Sequence, residues 1–244
     1  VAYGCASHVT LGLALVAGLL PSARAVAEDE MGERPAISAV FFGSLEAGPA
    51  KTFASVGVKR ALRGGLDESG FRALLAAGLS KEETNRSRPH GVTYKTGSQV
   101  MLGYEWRIRD TFVALYGGSD IESEQSGCGC SMTTRTRMGW RLQTDLWSRP
   151  TPDIVLHAGA YASTLDGRLW ARLAPGWALP QIRELFVGPE VELYRESDYS
   201  KLRLGLHLTG LRLLGLTWRL SGGVQNTSDR PAEAYATLGL HWRR

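Results

Sequence analysis

The chain has 244 residues, enough for one large β domain or two small ones. Its 28 Lys and Arg against 24 Asp and Glu leave it only mildly basic. These cations are spread along the chain, which excludes the basic block of a nucleic-acid arm.

The first segment differs from the rest. Residues Val9 to Leu20 form an apolar run of the length of a signal-peptide core, and Ala25-Val26-Ala27 fits the small-x-small cleavage rule. The run is too short to span a bilayer as a helix. The expectation is a signal peptide over 1–27, a solvated leader over 28–35 and a single β-barrel domain over 36–244. Cleavage would remove Cys5 and leave Cys128 and Cys130 in a Ser/Gly-rich stretch. In an oxidising compartment this pair can close a small disulfide, or stand as an idle structural pair. No His lies near them in sequence, so a metal site is not expected.

Beyond the leader, period-two alternation dominates, and successive side chains of a strand point to opposite faces. Segments 36–46, 51–62 and 68–79 read as strands, followed by a long connection over 81–96. From 99 to 108, Val100, Leu102, Tyr104, Trp106 and Ile108 oppose Gln99, Met101, Gly103, Glu105 and Arg107. A tight turn at Arg107-Ile108-Arg109-Asp110 leads into a strand over 110–121 and a second long connection over 119–131. Between 133 and 146, Met138, Trp140, Leu142 and Leu146 oppose Arg135, Arg137, Gly139, Arg141, Gln143 and Asp145. Next, 154–162 sets Ile154, Leu156 and small residues against His157, Gly159 and Tyr161. Strands over 168–177 and 183–195 follow. The clearest alternation is Lys201-Leu202-Arg203-Leu204-Gly205-Leu206-His207-Leu208-Thr209. Strands over 215–224 and 235–243 complete a set of about twelve.

This pattern predicts an all-β, antiparallel up-and-down transmembrane β-barrel, with a soluble periplasmic β protein as the alternative. Two features favour the membrane. If the first strand starts on the periplasmic side, the long connections 81–96 and 119–131 fall outside and the tight turn at 107–110 inside. On the same topology Trp106, Phe112, Trp147, Trp177, Trp218 and Trp242 gather near the inner strand ends, where a membrane interface selects aromatics.

The polar face then lines the lumen. It carries Glu105, Arg107, Arg135, Arg137, Arg141, Asp145, Arg172, Glu190, Glu192, Arg203, His207, Arg219 and His241. Both charge signs are present, so the plainer reading is a salt-bridged plug and the bolder one a polar path for a solute or polymer. Arg135, Arg137 and Arg141 share one strand face and would form a basic row. Tyr161 and Trp170, also inward, can stack on sugar rings, although inward aromatics more often simply fill space. Catalysis is not expected: Gly-x-Ser-x-Gly is absent, and phosphate-loop and dinucleotide fingerprints are missing, which also leaves no cofactor site.

Several stretches in order carry a resemblance. They are Phe41-Phe42-Gly43-Ser44, Val58-Lys59-Arg60-Ala61-Leu62, Leu66-Asp67-Glu68-Ser69-Gly70-Phe71-Arg72 and Met101-Leu102-Gly103-Tyr104-Glu105-Trp106-Arg107. Gly188-Pro189-Glu190-Val191-Glu192-Leu193-Tyr194-Arg195 and Gly205-Leu206-His207-Leu208-Thr209-Gly210 follow. Together they resemble the BcsS family of bacterial cellulose-biosynthesis proteins. The resemblance implies a non-catalytic accessory role in cellulose synthesis or export, in the bacterial outer membrane. Its implied partners are membrane lipid and cellulose or other components of its secretion. The alternative function is a general outer-membrane channel or structural barrel unrelated to cellulose. One departure stands at the C-terminus, where Trp242 is followed by Arg243-Arg244 rather than ending the chain on an aromatic residue.

Overall fold

The computed structural model describes residues 37–49, 51–84, 91–128, 131–182 and 184–244. The expected signal peptide, its leader and Cys130 lie outside the described residues.

Alternating apolar and polar residues make two-faced strands, and such strands bury one face only by curling into a closed sheet or by packing on another. Here they close. Twelve strands follow one another as β1 (Ala39–Ala47), β2 (Lys51–Ala61), β3 (Gly70–Thr84), β4 (Gly91–Ile108), β5 (Thr111–Cys128) and β6 (Ser131–Thr151). They continue as β7 (Ile154–Ser163), β8 (Arg168–Ala178), β9 (Phe186–Glu196), β10 (Tyr199–Leu213), β11 (Leu216–Thr227) and β12 (Arg230–Arg243). Each pairs antiparallel with its chain neighbours, and β1 pairs with β12 from Val40↔Arg243 to Ala47↔Ala236, which closes the barrel. A 3-10 turn, Leu165–Gly167, joins β7 to β8.

Polarity is the reverse of a soluble barrel. Leu204 and Leu206 of β10 point outward, and Leu206 is 62% exposed, while Arg203 between the same neighbours is 2% exposed. Val100, Leu102, Met138, Trp140 and Leu142 continue the exposed apolar belt on β4 and β6. Inside, Leu74, Met101, Ala114 and Tyr116 form a small apolar cluster, with Phe42 and Ala76 against it, and Val155, Ala174 and Phe186 are buried elsewhere on the wall. Gly103 makes room for this cluster: a Cβ there would lie 2.5 Å from the Tyr116 ring.

Hairpin turns follow local chemistry. Leu214 and Gly215 join β10 to β11 with φ of 56° and 73°. Positive φ at both central residues is the backbone of a type I′ turn, whose twist matches that of its strands.

Two sequence expectations are corrected. The stretches 81–96 and 119–131 are mostly strand, because β3 runs to Thr84, β4 begins at Gly91, β5 runs to Cys128 and β6 begins at Ser131. Their side chains are polar on both faces, so hydrophobic alternation does not reveal them. Cross-strand charge does: Glu124 stands opposite both Lys95 and Arg135, and Glu122 opposite Arg137. The longer connections, 62–69 and 179–185, instead lie at the end where β1 starts and β12 finishes. At the other end β6 outruns its neighbour: its pairing with β7 begins only at Arg141↔Ser163. The aromatic ring is also incomplete. Trp106, Trp177 and Trp242 are exposed on the outer face. Phe112 and Trp147 share the inward face of Ala114 and Asp145 and pack together, with centroids 5.8 Å apart.

An arginine on the lipid-facing belt at mid-bilayer costs roughly 2–4 kcal/mol. Leu204→Arg is therefore expected to lose about that much in denaturant titrations in phospholipid vesicles. Arg135→Gln, on the projecting hairpin, should stay within about 0.5 kcal/mol of the parent. The reverse ranking would mean the faces are assigned the wrong way round.

Candidate functional site

The lumen gathers charged residues from many strands, and their partners define it. Glu105 of β4 accepts from Lys59 of β2 at 2.7 Å and from Arg72 of β3 at 3.3 Å. Arg72 is 0% exposed and also donates to the carbonyls of Gly65 and Glu68, fixing the 62–69 connection onto the wall. On the opposite wall Arg203 of β10 bridges Glu46 of β1 and Glu192 of β9, and donates to Gln225 of β11 at 2.9 Å. Lys201 adds a contact to Glu192 at 3.3 Å. Arg219 of β11 pairs with Glu190 of β9 and reaches His157 of β7, Nη1 to Nδ1, at 3.3 Å. His207 places one ring nitrogen 2.9 Å from the Pro175 carbonyl and the other 2.9 Å from the Thr209 hydroxyl. His241 stands on the same inner wall, in register with Phe42 and Thr217.

Toward the β7–β8 turn a second knot forms. Arg168 of β8 contacts Glu122 of β5 at 2.8 Å and Glu196 of β9 at 3.2 Å. Arg137 of β6 joins Glu122 at 2.8 Å and hydrogen-bonds Asp166 in the turn. Burial pushes the Asp166 carboxyl up, but the hydrogen bond and charge of Arg137, together with Arg168, outweigh it and hold the group below its usual range.

Between the two knots the β6–β8 wall is more open. Arg141 lays its guanidinium 3.4 Å from the centre of the Tyr161 ring, and its Nε donates to Gln143 at 3.2 Å. Gln143 in turn donates to Asp145 at 2.9 Å. Arg172 lies 5.7 Å from the centre of the Trp170 ring.

Of the residues expected inside, Glu105, Arg141, Asp145, Arg172, Glu190, Glu192, Arg203, His207 and Arg219 share the inward face. Arg107 and Arg135 keep the inward parity but lie exposed at the ends of the wall rather than within the lumen. Arg107 is exposed at the end of β4, where it donates to the carbonyls of Asp67 and Arg109. Arg135 is exposed on the hairpin beyond the β6–β7 pairing. The expected basic row therefore breaks up, since Arg137 is held by three carboxylates and only Arg141 lines the open wall. Missed in the sequence were Glu46, Lys59, Arg72, Asp120, Glu122, Arg168 and Lys201. All but Lys201, which stands on the clearest strand, sit on weaker strands or in stretches read as connections, and parity counted outward from Arg203 or Glu105 would have found several. Among the described residues, no group of three or more His, Cys, Asp or Glu is placed to hold a metal ion.

A model of the cellulose biosynthesis protein BcsS matches residues 40–244, all twelve strands apart from Ala39. The chain belongs to the BcsS family. No curated protein matches it. Among solved structures, the translocator domain of the autotransporter NalP from Neisseria meningitidis is 14% identical, covers 88% of this chain and 90% of its own, and has a TM-score of 0.51. The KdgM porin is 10% identical over 83% of this chain and 98% of its own, at a TM-score of 0.49. The β domain of the Bordetella autotransporter BrkA is 12% identical over 86% and 100%, also at 0.49. At such identity the likeness to NalP is one of fold: the BcsS member is a closed antiparallel barrel of the outer-membrane kind.

Removing one partner of a buried ion pair strands the other and costs about 3–5 kcal/mol. Arg203→Gln, which leaves Glu46 and Glu192 with Lys201 as their remaining cation, is expected to destabilise toward the lower end of that range. Adding Glu46→Gln should recover part of the loss, seen as a coupling of about 0.5–3 kcal/mol in a double-mutant cycle. Additive losses would show that the two side chains do not interact.

Proposed function

We propose that the chain is a non-catalytic accessory barrel of the bacterial outer membrane that assists export, anchoring or organisation of cellulose. The observation that carries this is the match of almost the whole barrel to the cellulose-biosynthesis family, combined with an apolar outer belt and a charged interior. An apolar exterior suits lipid, since a strand-built wall crosses a bilayer only when closed and greasy outside. Membrane lipid is thus one partner in this reading, and cellulose or other secretion components are the other.

The lumen chemistry supports a passive role. His207 is taken up by a carbonyl and a threonine hydroxyl, and His157 faces Arg219, so neither is aligned on a serine nucleophile. The ion pairs instead resemble reinforcement. In a structure of this kind they stiffen the wall and narrow the bore rather than transfer a group.

Deleting the gene is expected to lower extracellular cellulose or change its form, while synthase activity in isolated inner membranes stays intact. Unchanged cellulose with reduced uptake of small solutes would make the barrel a general channel. If neither changes, a structural role unrelated to cellulose takes its place.

A further inference from the structure

Strand register places three aromatic residues side by side on the inner wall. Tyr161 of β7 stands opposite Trp170 of β8, and Trp170 opposite Tyr194 of β9. The same line begins at Gln143 of β6 and ends at Lys201 of β10. Adjacent strands lie about 4.8 Å apart, so three rings on successive strands span about 10 Å. Because barrel strands tilt, a line of register crosses the wall obliquely and climbs along the bore.

The geometry of the stripe is that of a surface, not of a core. Tyr161 and Trp170 stack with centroids 5.5 Å apart and planes 20° from parallel. All three rings remain partly exposed although they point inward, in contrast to the buried Arg203 and Arg219 on the adjoining β10 and β11. Polar groups border the stripe. The Arg141–Gln143–Asp145 chain lies along one edge. Arg172 lies along another, and its Nε is buried with no hydrogen-bond partner among the described residues. Elsewhere in the lumen, Arg203, Arg219 and Arg168 are each satisfied by carboxylates. Arg172 has a donor to spare at the edge of an aromatic ring.

We infer that this stripe is a saccharide-binding platform inside the barrel, fitted to an uncharged β-1,4-linked glucan chain. This rests on the cellulose-related reading above for the choice of glucan. In such a chain every ring substituent is equatorial. The ribbon therefore presents flat C–H faces and hydroxyl-lined edges. The Trp170 and Tyr194 rings meet the faces, backed by Tyr161 held between Arg141 and Trp170, and the amide, carboxylate and guanidinium groups meet the hydroxyls. The oblique run over three strands lets successive sugars engage successive rings, which holds a chain along the bore without one deep, slow-release pocket.

The test is calorimetric titration of the full-length barrel, refolded in detergent, with cellohexaose. Each variant is first checked for heat-modifiable gel mobility, so that only assembled protein is compared. Trp170→Leu, which keeps bulk but removes the ring, should bind about tenfold more weakly, whereas Trp170→Phe should stay within about threefold of the parent. Arg172→Gln should also weaken binding while leaving mobility unchanged. Failure of the assembled parent to bind cellohexaose, equal binding by Trp170→Leu, or preference for an oligogalacturonate of the same length would each overturn the platform. Its failure is separable from that of the cellulose role. A deletion strain that loses cellulose alongside a barrel that binds no glucan removes the platform alone. Glucan binding alongside unchanged cellulose removes the role and leaves the platform.

Discussion

A strand edge exposed to hydrocarbon has no water to satisfy its N–H and C=O groups, and each unsatisfied group costs several kcal/mol. The pairing of β1 with β12 answers that constraint. Once the first and last strands are joined, the sheet has two faces and a single choice about which meets lipid. The leucines of β10 and the large residues of β4 and β6 settle it, since outward is the only place they are found together. Everything polar on those strands is then forced into a narrow interior.

Charge in that interior must be compensated. A barrel wall offers side chains from strands that are not neighbours, and the pairs use this freedom. Arg203 joins β10 to β1, Arg219 joins β11 to β9 and β7, and Arg168 joins β8 to β5. Such contacts act as struts across the bore. They leave a stretch of wall on β6–β8 where rings face the lumen beside the looser Arg141–Asp120 contact at 4.0 Å.

Much of this was legible in the sequence. The twelve strands and their inward faces follow from period-two alternation, because one face of each strand had to be apolar over the belt. Legibility ended where the belt ends. Beyond it, polar residues such as Ser123, Glu124, Arg135 and Thr136 occupy both faces, so strand and loop have the same composition. The pairing of Arg203 with Glu46 was equally hidden, since spatial adjacency across a closed barrel leaves no spacing in the chain. Trp147 was misplaced for a different reason: its position near a strand end suggested an interface, while its parity with Asp145 already pointed inward.

The Arg203–Glu46 contact joins residues 157 positions apart. It cannot form while the barrel is open, so Glu46 must wait, hydrated, until β12 reaches β1, whereas the Arg203–Glu192 pair belongs to the β9–β10 hairpin. Loop-closure entropy is then spent before this reward arrives, which makes topology the brake on assembly. The same delay makes closure abrupt: dehydration of the lumen charges and completion of the last ladder fall in one step. A half-zipped barrel gains little, and the assembled one is held by a barrier as well as by its depth.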